Sequence, residues 1–274
     1  ARGKALGING IFGSLGIASA GLVAGALIDL FGWRAAFILP GLVSLATGIA
    51  LWACLRLGLV TDGLVRASRA ESESRANRLR AYAVLLLTMA VMGIVFQATQ
   101  AAIPKVFDLR LRDIVGEGTF GIGLLVALVY TAGGVMQVIG GHLADRFPLK
   151  PIYLGALLFQ VPVLAGIAAV GGTPLIGAAV LVVLLTTAPL PAENMLLARY
   201  TPQRHHSLAY GIKFVLAFGT APLSLMLVAV IQERTGEFAW LFLTLAALAL
   251  VAGLAAFLLP GEWRRPRAAA VPAE

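Results

Sequence analysis

Residues 140–151 read GGHLADRFPLKP, a short charged run between two long apolar stretches. The run places Asp145, Arg146 and Lys150 close together, with glycines before them and prolines among and after them. Glycine lets two backbones approach closely, and a carboxylate is stabilised where it meets the amino end of a neighbouring helix. The stretch therefore predicts a tight connection between two helices that also contacts a third.

The composition of the chain indicates that lipid is its solvent. Of its 274 residues, 59% are hydrophobic and only 12% are charged, whereas soluble domains carry about 25% charged residues. The net charge of +8 does not indicate nucleic-acid binding, because the basic residues fall in short connections without an aromatic recognition pattern. We therefore expect a lipid bilayer and no nucleic acid as partners.

Eight apolar stretches are near the length of about 20 residues that a helix needs to cross a bilayer. The sequence thus predicts an all-α membrane protein. One connection, between the second and third spans, is long, polar and rich in serine, which is typical of a solvated linker. The predicted spans are 6–28, 35–55, 82–103, 120–141, 151–170, 174–196, 208–231 and 238–259.

The Lys and Arg residues concentrate in alternate connections, above all in the arginine-rich stretch from Arg56 to Arg80. Because cytoplasmic loops carry the excess of Lys and Arg, this side is predicted to be cytoplasmic. Both termini and the run at 140–151 then face the cytoplasm. We expect the protein to lie in a bacterial inner (plasma) membrane.

The run from Gly141 to Lys150 resembles the loop pattern G-x-x-x-D-R-x-G-x-K of the major facilitator superfamily, with Pro148 where the second glycine is usual. The resemblance implies that Gly141, Asp145, Arg146 and Lys150 form a gating loop between the eighth and ninth helices of that fold. The alternative is an ordinary basic loop, which any membrane protein carries on its cytoplasmic side.

The first span resembles the fifth-helix motif of the same superfamily, which is associated with antiporters. Its small residues predict close packing against another helix, although generic packing of small residues is the alternative. Gly21 stands where the motif has proline. The motif positions are Gly7, Gly16, Ala20, Gly21, Ala24 and Gly25.

This resemblance implies that the spans are helices five to twelve of a twelve-helix bundle, so we expect a fragment that lacks helices one to four. Residues 1–56 would end the first half, 57–80 would link the halves, 81–260 would form the six-helix second half, and 261–274 would be a cytoplasmic tail. The implied function is secondary transport of a small molecule by a monomer that alternates its access, with proton-coupled efflux as the expected mode. A non-transporting scaffold or receptor on the same fold is the alternative.

Polar residues inside the spans are the candidates for a cavity or for ion coupling. Glu193 and Lys213 are the two charged residues well inside predicted spans, and we expect them to pair. The pair has either a coupling role or a structural one as a tether between helices. For Gln97 and Gln100, a structural hydrogen bond between helices is the alternative. The further candidates are Gln97, Gln100, Tyr130, Gln137 and Asn194.

By the pseudo-symmetry of the family, Asp145 should face the amino end of the first span, at residues 2–5.

The chain lacks the motifs of several enzyme classes. The G-x-G-x-x-G match at residues 116–121 follows a polar loop and not a strand, and His205 and His206 are adjacent instead of sharing a helix face. No phosphate-binding loop or serine-hydrolase motif occurs. We therefore expect no enzyme, cofactor or metal.

Overall fold

The computed structural model describes residues 2–59, 74–115 and 119–260, and this part of the chain is helical, without strands. Eight helical segments in it are long and apolar enough to cross a membrane, so the prediction of an all-α membrane protein is confirmed. The helices are α1 (Arg2–Phe31), α2 (Ala35–Arg56), α3 (Arg75–Val115), α4 (Thr119–Arg146), α5 (Leu149–Ala169), α6 (Pro174–Thr187), α7 (Leu190–Tyr200), α8 (His206–Gly219), α9 (Ala221–Thr235) and α10 (Phe238–Ala256).

The turn between α1 and α2 depends on Gly32. Its φ of 83° lies in the left-handed region, and its amide donates to the carbonyl of Ile28 at 2.9 Å. Glycine takes this conformation without steric cost, which ends α1 and reverses the chain. The following helix, α2, contacts α1 and contains no buried residue.

α3 is longer than its predicted span. It runs for 41 residues, about 60 Å at 1.5 Å per residue, which exceeds the hydrocarbon thickness of about 30 Å. Residues 75–80, predicted as linker, form its first turns, because RANRLR is rich in good helix formers. The rest of the predicted linker from residue 60 to 73, and the predicted tail at 261–274, lie outside the described residues.

The sixth and seventh spans are each divided into two helices. The division between α6 and α7 falls at Ala188 and Pro189, as Pro189 and Pro191 predict, since proline has no amide to donate to the preceding turn. The predicted seventh span, 208–231, is interrupted at Thr220, between α8 and α9. Gly219 ends α8, and Pro222 removes a hydrogen bond in the first turn of α9.

Both divisions are packed against a glycine of a neighbouring span. A Cβ atom added to Gly140 of α4 would lie 2.3 Å from the carbonyl oxygen of Ala188. One added to Gly93 of α3 would lie 2.8 Å from the hydroxyl of Thr220. Both distances are too short for a real side chain, so glycine at these positions allows the bent spans to approach.

The second-half candidate, residues 81–260, has a hydrophobic core between α3, α5 and α10. α10 presents one face to it at steps of three and four residues and exposes the opposite face. Leu85, Leu157, Phe242 and Leu245 are fully buried in this core. The three helices thus form the body against which the more polar spans pack.

α1 and α4 pack antiparallel, with the start of α1 beside the end of α4. Gly3 approaches Gly141 so closely that a Cβ on Gly141 would lie 2.2 Å from the carbonyl oxygen of Gly3. At the other end, Leu22 makes an ordinary contact of 3.6 Å with the position of a Cβ on Gly123. The interface is therefore tightest where α1 begins. We call this end of the bundle the Asp145 end.

In the predicted packing motif of the first span, Gly7 contacts α4, while Gly16 and Gly21 meet open space within the described part of the chain. A Cβ on Gly7 would lie 2.5 Å from the carbonyl oxygen of Gln137, whereas nothing lies within 4 Å of one on Gly16 or Gly21. The reason is helical geometry, because α4 meets the face of α1 that carries residues 3, 7, 10 and 14. Ala20 is exposed, Ala24 is half-buried, and the surroundings of Gly25 are not described.

We predict that Gly7→Ala destabilises the fold and that Gly16→Ala does not. The added methyl at residue 7 would press on the backbone of α4, and overpacking of this kind costs about 1–3 kcal/mol. At residue 16 the methyl meets open space, and alanine is the better helix former by about 1 kcal/mol. Thermal unfolding of both variants in lipid nanodiscs measures the difference, and equal melting temperatures would contradict the packing described above.

Candidate functional site

The run at 140–151 is mostly helical and is not a loop. Gly141, Asp145 and Arg146 lie in the last turns of α4, Lys150 lies in the first turn of α5, and only Phe147 and Pro148 connect the two helices. The prediction of a gating loop is wrong in this respect. The helix continues because the residues before Pro148 donate to preceding carbonyls, as the bond from the Phe147 amide to Leu143 at 2.8 Å shows.

Asp145 caps the amino end of α1. Its Oδ1 accepts the amide of Gly3 at 2.8 Å, and its Oδ2 accepts the amide of Lys4 at 2.9 Å. The first amides of a helix have no partner within that helix, and their positive end attracts a carboxylate. The first turn of α1 contains no acidic residue of its own, so α4 supplies the cap. This confirms the predicted contact.

The cap depends on the close approach of Gly3 and Gly141. A Cβ on Gly3 would lie 2.4 Å from the carbonyl oxygen of Gly141 and 3.1 Å from Oδ1 of Asp145. Any side chain at residue 3 would therefore separate the two helices and lengthen both bonds. We call the contact of Asp145 with the amides of Gly3 and Lys4 the Asp145 clip.

The two other charged residues of the run have different surroundings. Lys150 is buried, and its Nζ donates to the carbonyl of Phe257 at 2.9 Å, just after the end of α10. A cation at the carboxyl end of a helix is stabilised by the partial negative charge there. Arg146 is exposed at the Asp145 end. The structure thus separates Lys150 from the clip that Asp145 makes.

Gln137, a cavity candidate by sequence, lies in the interface between α1 and α4. Its Nε2 donates to the hydroxyl of Ser14 at 2.9 Å and approaches the carbonyl of Gly10 at 3.3 Å. Gln137 is 8% exposed and Ser14 is 5% exposed. The side chain of Gln137 therefore makes a buried hydrogen bond between two helices.

Glu193 of α7 and Lys213 of α8 form the predicted ion pair, with 2.7 Å between Nζ and Oε1. Both side chains are buried, at 6% and 8% exposure. Lys213 also donates to Oδ1 of Asn194, the residue beside its partner. Since a buried charge is costly without partners, this full set of contacts is what allows the pair to exist inside the bundle.

Two further side chains extend the pair to other helices. The hydroxyl of Tyr153, from α5, donates to Oε2 of Glu193 at 3.0 Å and lies 2.9 Å from the hydroxyl of Thr88, from α3. Both residues are fully buried. Glu193, Lys213, Asn194, Tyr153 and Thr88, which we call the Glu193 network, therefore join four helices in one polar cluster.

The remaining candidates do not join either cluster by hydrogen bonds. Tyr130 is buried in α4. Gln97 and Gln100 are half-buried on α3, and their side chains make no hydrogen bond within the described part of the chain.

Sequence reasoning missed Ser14, Gly10, Tyr153 and Thr88. Ser14 and Gly10 follow Gly7 on the same helical face, at steps of three and four residues, and this spacing was a signal that went unused. Tyr153 and Thr88 stand in apolar stretches where a buried tyrosine or threonine is ordinary. No local pattern distinguishes them, because only the packing of α3 and α5 against α7 makes them partners of Glu193.

We predict that removing either charge of the Glu193–Lys213 pair destabilises the protein strongly. Glu193→Gln or Lys213→Met leaves the other charge buried without its partner, which costs about 3–5 kcal/mol. The double variant should be less destabilised than the sum of the single variants. Asp108→Asn is the control, because Asp108 pairs with exposed Lys105 and Arg112 and such pairs contribute about 0–1 kcal/mol. Thermal unfolding in nanodiscs measures all four, and additive effects at 193 and 213 would contradict a coupled pair.

The comparison with known protein families agrees with this architecture. The sequence model of the Major Facilitator Superfamily matches residues 1–186 and 111–274, which together cover the chain. No curated protein matches it. Members of this superfamily bind small molecules and transport them across membranes, and they are not enzymes. With its eight apolar spans and its match along the whole sequence, the chain belongs to the Major Facilitator Superfamily.

Proposed function

We propose that this protein exports a small molecule by alternating access, in exchange for protons. The observation that supports the proposal most directly is the Asp145 clip, in which one carboxylate of α4 holds two amides of α1. In this fold the two halves rock against each other around a site near the middle of the membrane. A contact that closes one end of the bundle is what such a motion must make and break.

Under this proposal α1 belongs to the first half, residues 1–56, and α4 to the second, residues 81–260. The clip then joins the two halves at one end of the bundle. Hydrogen bonds to a charged group contribute about 1.5–3 kcal/mol each. Two of them favour the state closed at the Asp145 end by at least about tenfold, and water that enters on opening offsets part of this by solvating the separated groups.

We assign the Asp145 end to the cytoplasm of a bacterial cell and the protein to the inner membrane. The connections at this end hold most of the Lys and Arg residues, among them Arg56, Arg75 and Arg204. The positive-inside rule supports this orientation. The Asp145 clip would accordingly close the cytoplasmic entrance.

The Glu193 network supports protons as the coupling ion. A proton on Glu193 would cancel its charge and leave the buried Lys213 with Asn194 as its partner. The free energy of the pair would then change with protonation. Because Glu193 and Lys213 lie on the two divided spans, this change would act on α7 and α8, the helices whose positions the pair fixes.

Export rests on the resemblance of the first span to the antiporter motif. Of the small residues in that motif, Gly7 contacts α4, and this contact lies in the tight part of the interface.

The rival function is a scaffold or receptor built on the same fold. It would keep the clip and the network as permanent structural contacts and would carry nothing across the membrane.

We predict that Asp145→Asn shifts the protein toward the state that is open at the Asp145 end. Asparagine keeps the shape of the side chain but loses the charge and one acceptor, so the open fraction should rise about tenfold. Nitroxide labels at Ile8→Cys and Ile139→Cys, in a Cys54→Ser background, report the separation of α1 and α4 by pulsed electron resonance. Both labelled residues are exposed and flank the interface.

Asp108→Asn serves as the matched control for this measurement, because it removes a half-buried carboxylate of α3 that pairs with Lys105 and Arg112 of the same helix. Its distance distribution should equal that of the unchanged protein. If the Asp145→Asn variant also kept the original distribution, the clip would have no role in closing this end.

We predict that Glu193→Gln separates coupling from transport. A ligand is first found by thermal shift with a panel of small metabolites, and its flux is then measured in proteoliposomes. The unchanged protein should move the ligand against its gradient when a pH gradient is imposed. Glu193→Gln should keep exchange of the ligand at equal pH and lose the accumulation driven by protons, while Asp108→Asn should keep both.

Three results would contradict parts of this assignment. Accumulation by Glu193→Gln equal to that of the unchanged protein would exclude Glu193 as the coupling group. Flux of the ligand in the same direction as the protons would contradict export by exchange. Binding without any flux in the unchanged protein would favour the scaffold or receptor.

A further inference from the structure

The tight part of the interface between α1 and α4 is built almost entirely from small residues. On α1 these are Gly3, Gly7, Gly10 and Ser14, and on α4 they are Gly134 and Gly141. On α1 they follow steps of three and four residues, and on α4 they are seven residues apart, which places each set on one face of its helix. Backbone therefore lies against backbone over several turns.

A face of this kind holds two helices close together but does not fix their position along the axis. Large side chains fit into the holes of a partner helix, whereas glycines present a smooth groove. A slip of one turn would move α1 by about 5.4 Å along α4. Because Gly3, Gly7 and Gly10 recur every three or four residues, α1 would still present a small residue to α4 after such a slip.

Gln137 is the large polar side chain inside this smooth interface. Its Nε2 donates to the hydroxyl of Ser14 and lies near the carbonyl of Gly10. A Cβ on Gly10 would lie 1.8 Å from its Oε1, so the amide fills the space that glycine leaves at residue 10. Since the amide is buried in a membrane span, leaving it without Ser14 carries a cost.

We propose that Gln137 is a positioning residue that sets the register of α1 on α4 and thereby brings the amides of Gly3 and Lys4 to Asp145. The Asp145 clip needs both amides within hydrogen-bond distance, at 2.8 and 2.9 Å. Gln137 and Asp145 are eight residues apart on α4, about 12 Å along the helix. The hydrogen bond between the amide of Gln137 and the hydroxyl of Ser14 thus fixes the register inside the interface. This register aligns the Asp145 clip, which lies at the end of the interface.

The far contact of the interface does not supply this register. The side chain of Leu22 lies 3.6 Å from the place that a Cβ on Gly123 would take, an ordinary van der Waals distance. A flexible leucine against a glycine tolerates displacement along the axis. Single polar residues in otherwise apolar interfaces fix the register of helix pairs in coiled coils, and the same physical reason applies to this interface.

The inference rests on the role proposed for the Asp145 clip, so the experiment measures the two together. The labels at Ile8→Cys and Ile139→Cys are placed in the purified full chain, in nanodiscs, with and without Asp145→Asn. The same pair of measurements is repeated in Gln137→Leu, which keeps a similar volume without the amide, and in Ser14→Ala, which removes only the hydroxyl. Thr131→Val is the control, because Thr131 lies on α4 and bonds to its own helix at Ala127.

We expect Asp145→Asn to raise the open fraction about tenfold in the unchanged and Thr131→Val proteins. In Gln137→Leu and Ser14→Ala the clip should already be misaligned, so Asp145→Asn should change the open fraction less than about twofold. The label distances in these two variants should be broadened before any change at residue 145.

Two outcomes separate the possible failures. If Asp145→Asn has no effect in any background, the proposed role of the clip is wrong and the register inference falls with it. If Asp145→Asn raises the open fraction about tenfold in every background, the proposed role of the clip is supported, but Gln137 does not position it. A lower melting temperature of Gln137→Leu with an unchanged response to Asp145→Asn would show a structural role only, and would overturn the inference. Ser14→Ala keeps the test valid if Gln137→Leu does not fold.

Discussion

Backbone contact between α1 and α4 is the constraint on which the other functional contacts depend. A carboxylate side chain is short, and Asp145 reaches the amides of Gly3 and Lys4 only because no side chain stands between the two helices. The same closeness lets Gln137 reach Ser14 across the interface. In a bilayer, where apolar surfaces gain nothing from avoiding lipid, such close packing with a few hydrogen bonds is what holds helices together.

The charged run at 140–151 serves two separate helix ends. Asp145 meets the amino end of α1, where the partial charge is positive, and Lys150 meets the carboxyl end of α10, where it is negative. One contact crosses from α4 to the first span, and the other lies within the bundle that contains α5 and α10. A short connection can therefore make two separate contacts, because each uses a different helix terminus as its partner.

The buried charges are kept apart from the interface between α1 and α4. The pair of Glu193 and Lys213 lies among α3, α5, α7 and α8 and is satisfied within that group of helices. The contacts of the Glu193–Lys213 pair therefore do not depend on the interface between α1 and α4. The divisions of the sixth and seventh spans lie against Gly140 and Gly93, so the helices that carry the pair are also those with an interrupted hydrogen-bond ladder.

The sequence by itself determined the eight spans, the all-α architecture, the family resemblance and the facing of Asp145 to the start of α1. The spans follow from local properties, since the length of an apolar run is read from neighbouring residues, whereas the family resemblance implied the facing of Asp145. The sequence also indicated the pairing of Glu193 with Lys213, because two lone charges inside a membrane need partners. It did not indicate the division between α8 and α9, where one proline near a glycine is too weak a signal against a long apolar run.

Only the tertiary structure decided which face of α1 meets α4, and hence that Gly3, Gly7, Gly10 and Ser14 form the contact while Gly16 and Gly21 do not. It likewise decided that Gln137 belongs to the interface and that Tyr153 and Thr88 complete the surroundings of Glu193. The physical reason is that a glycine-rich helix is small on several faces at once. The face that packs is chosen by the partner helix, through the hydrogen bonds and backbone contacts that residues more than a hundred positions away provide.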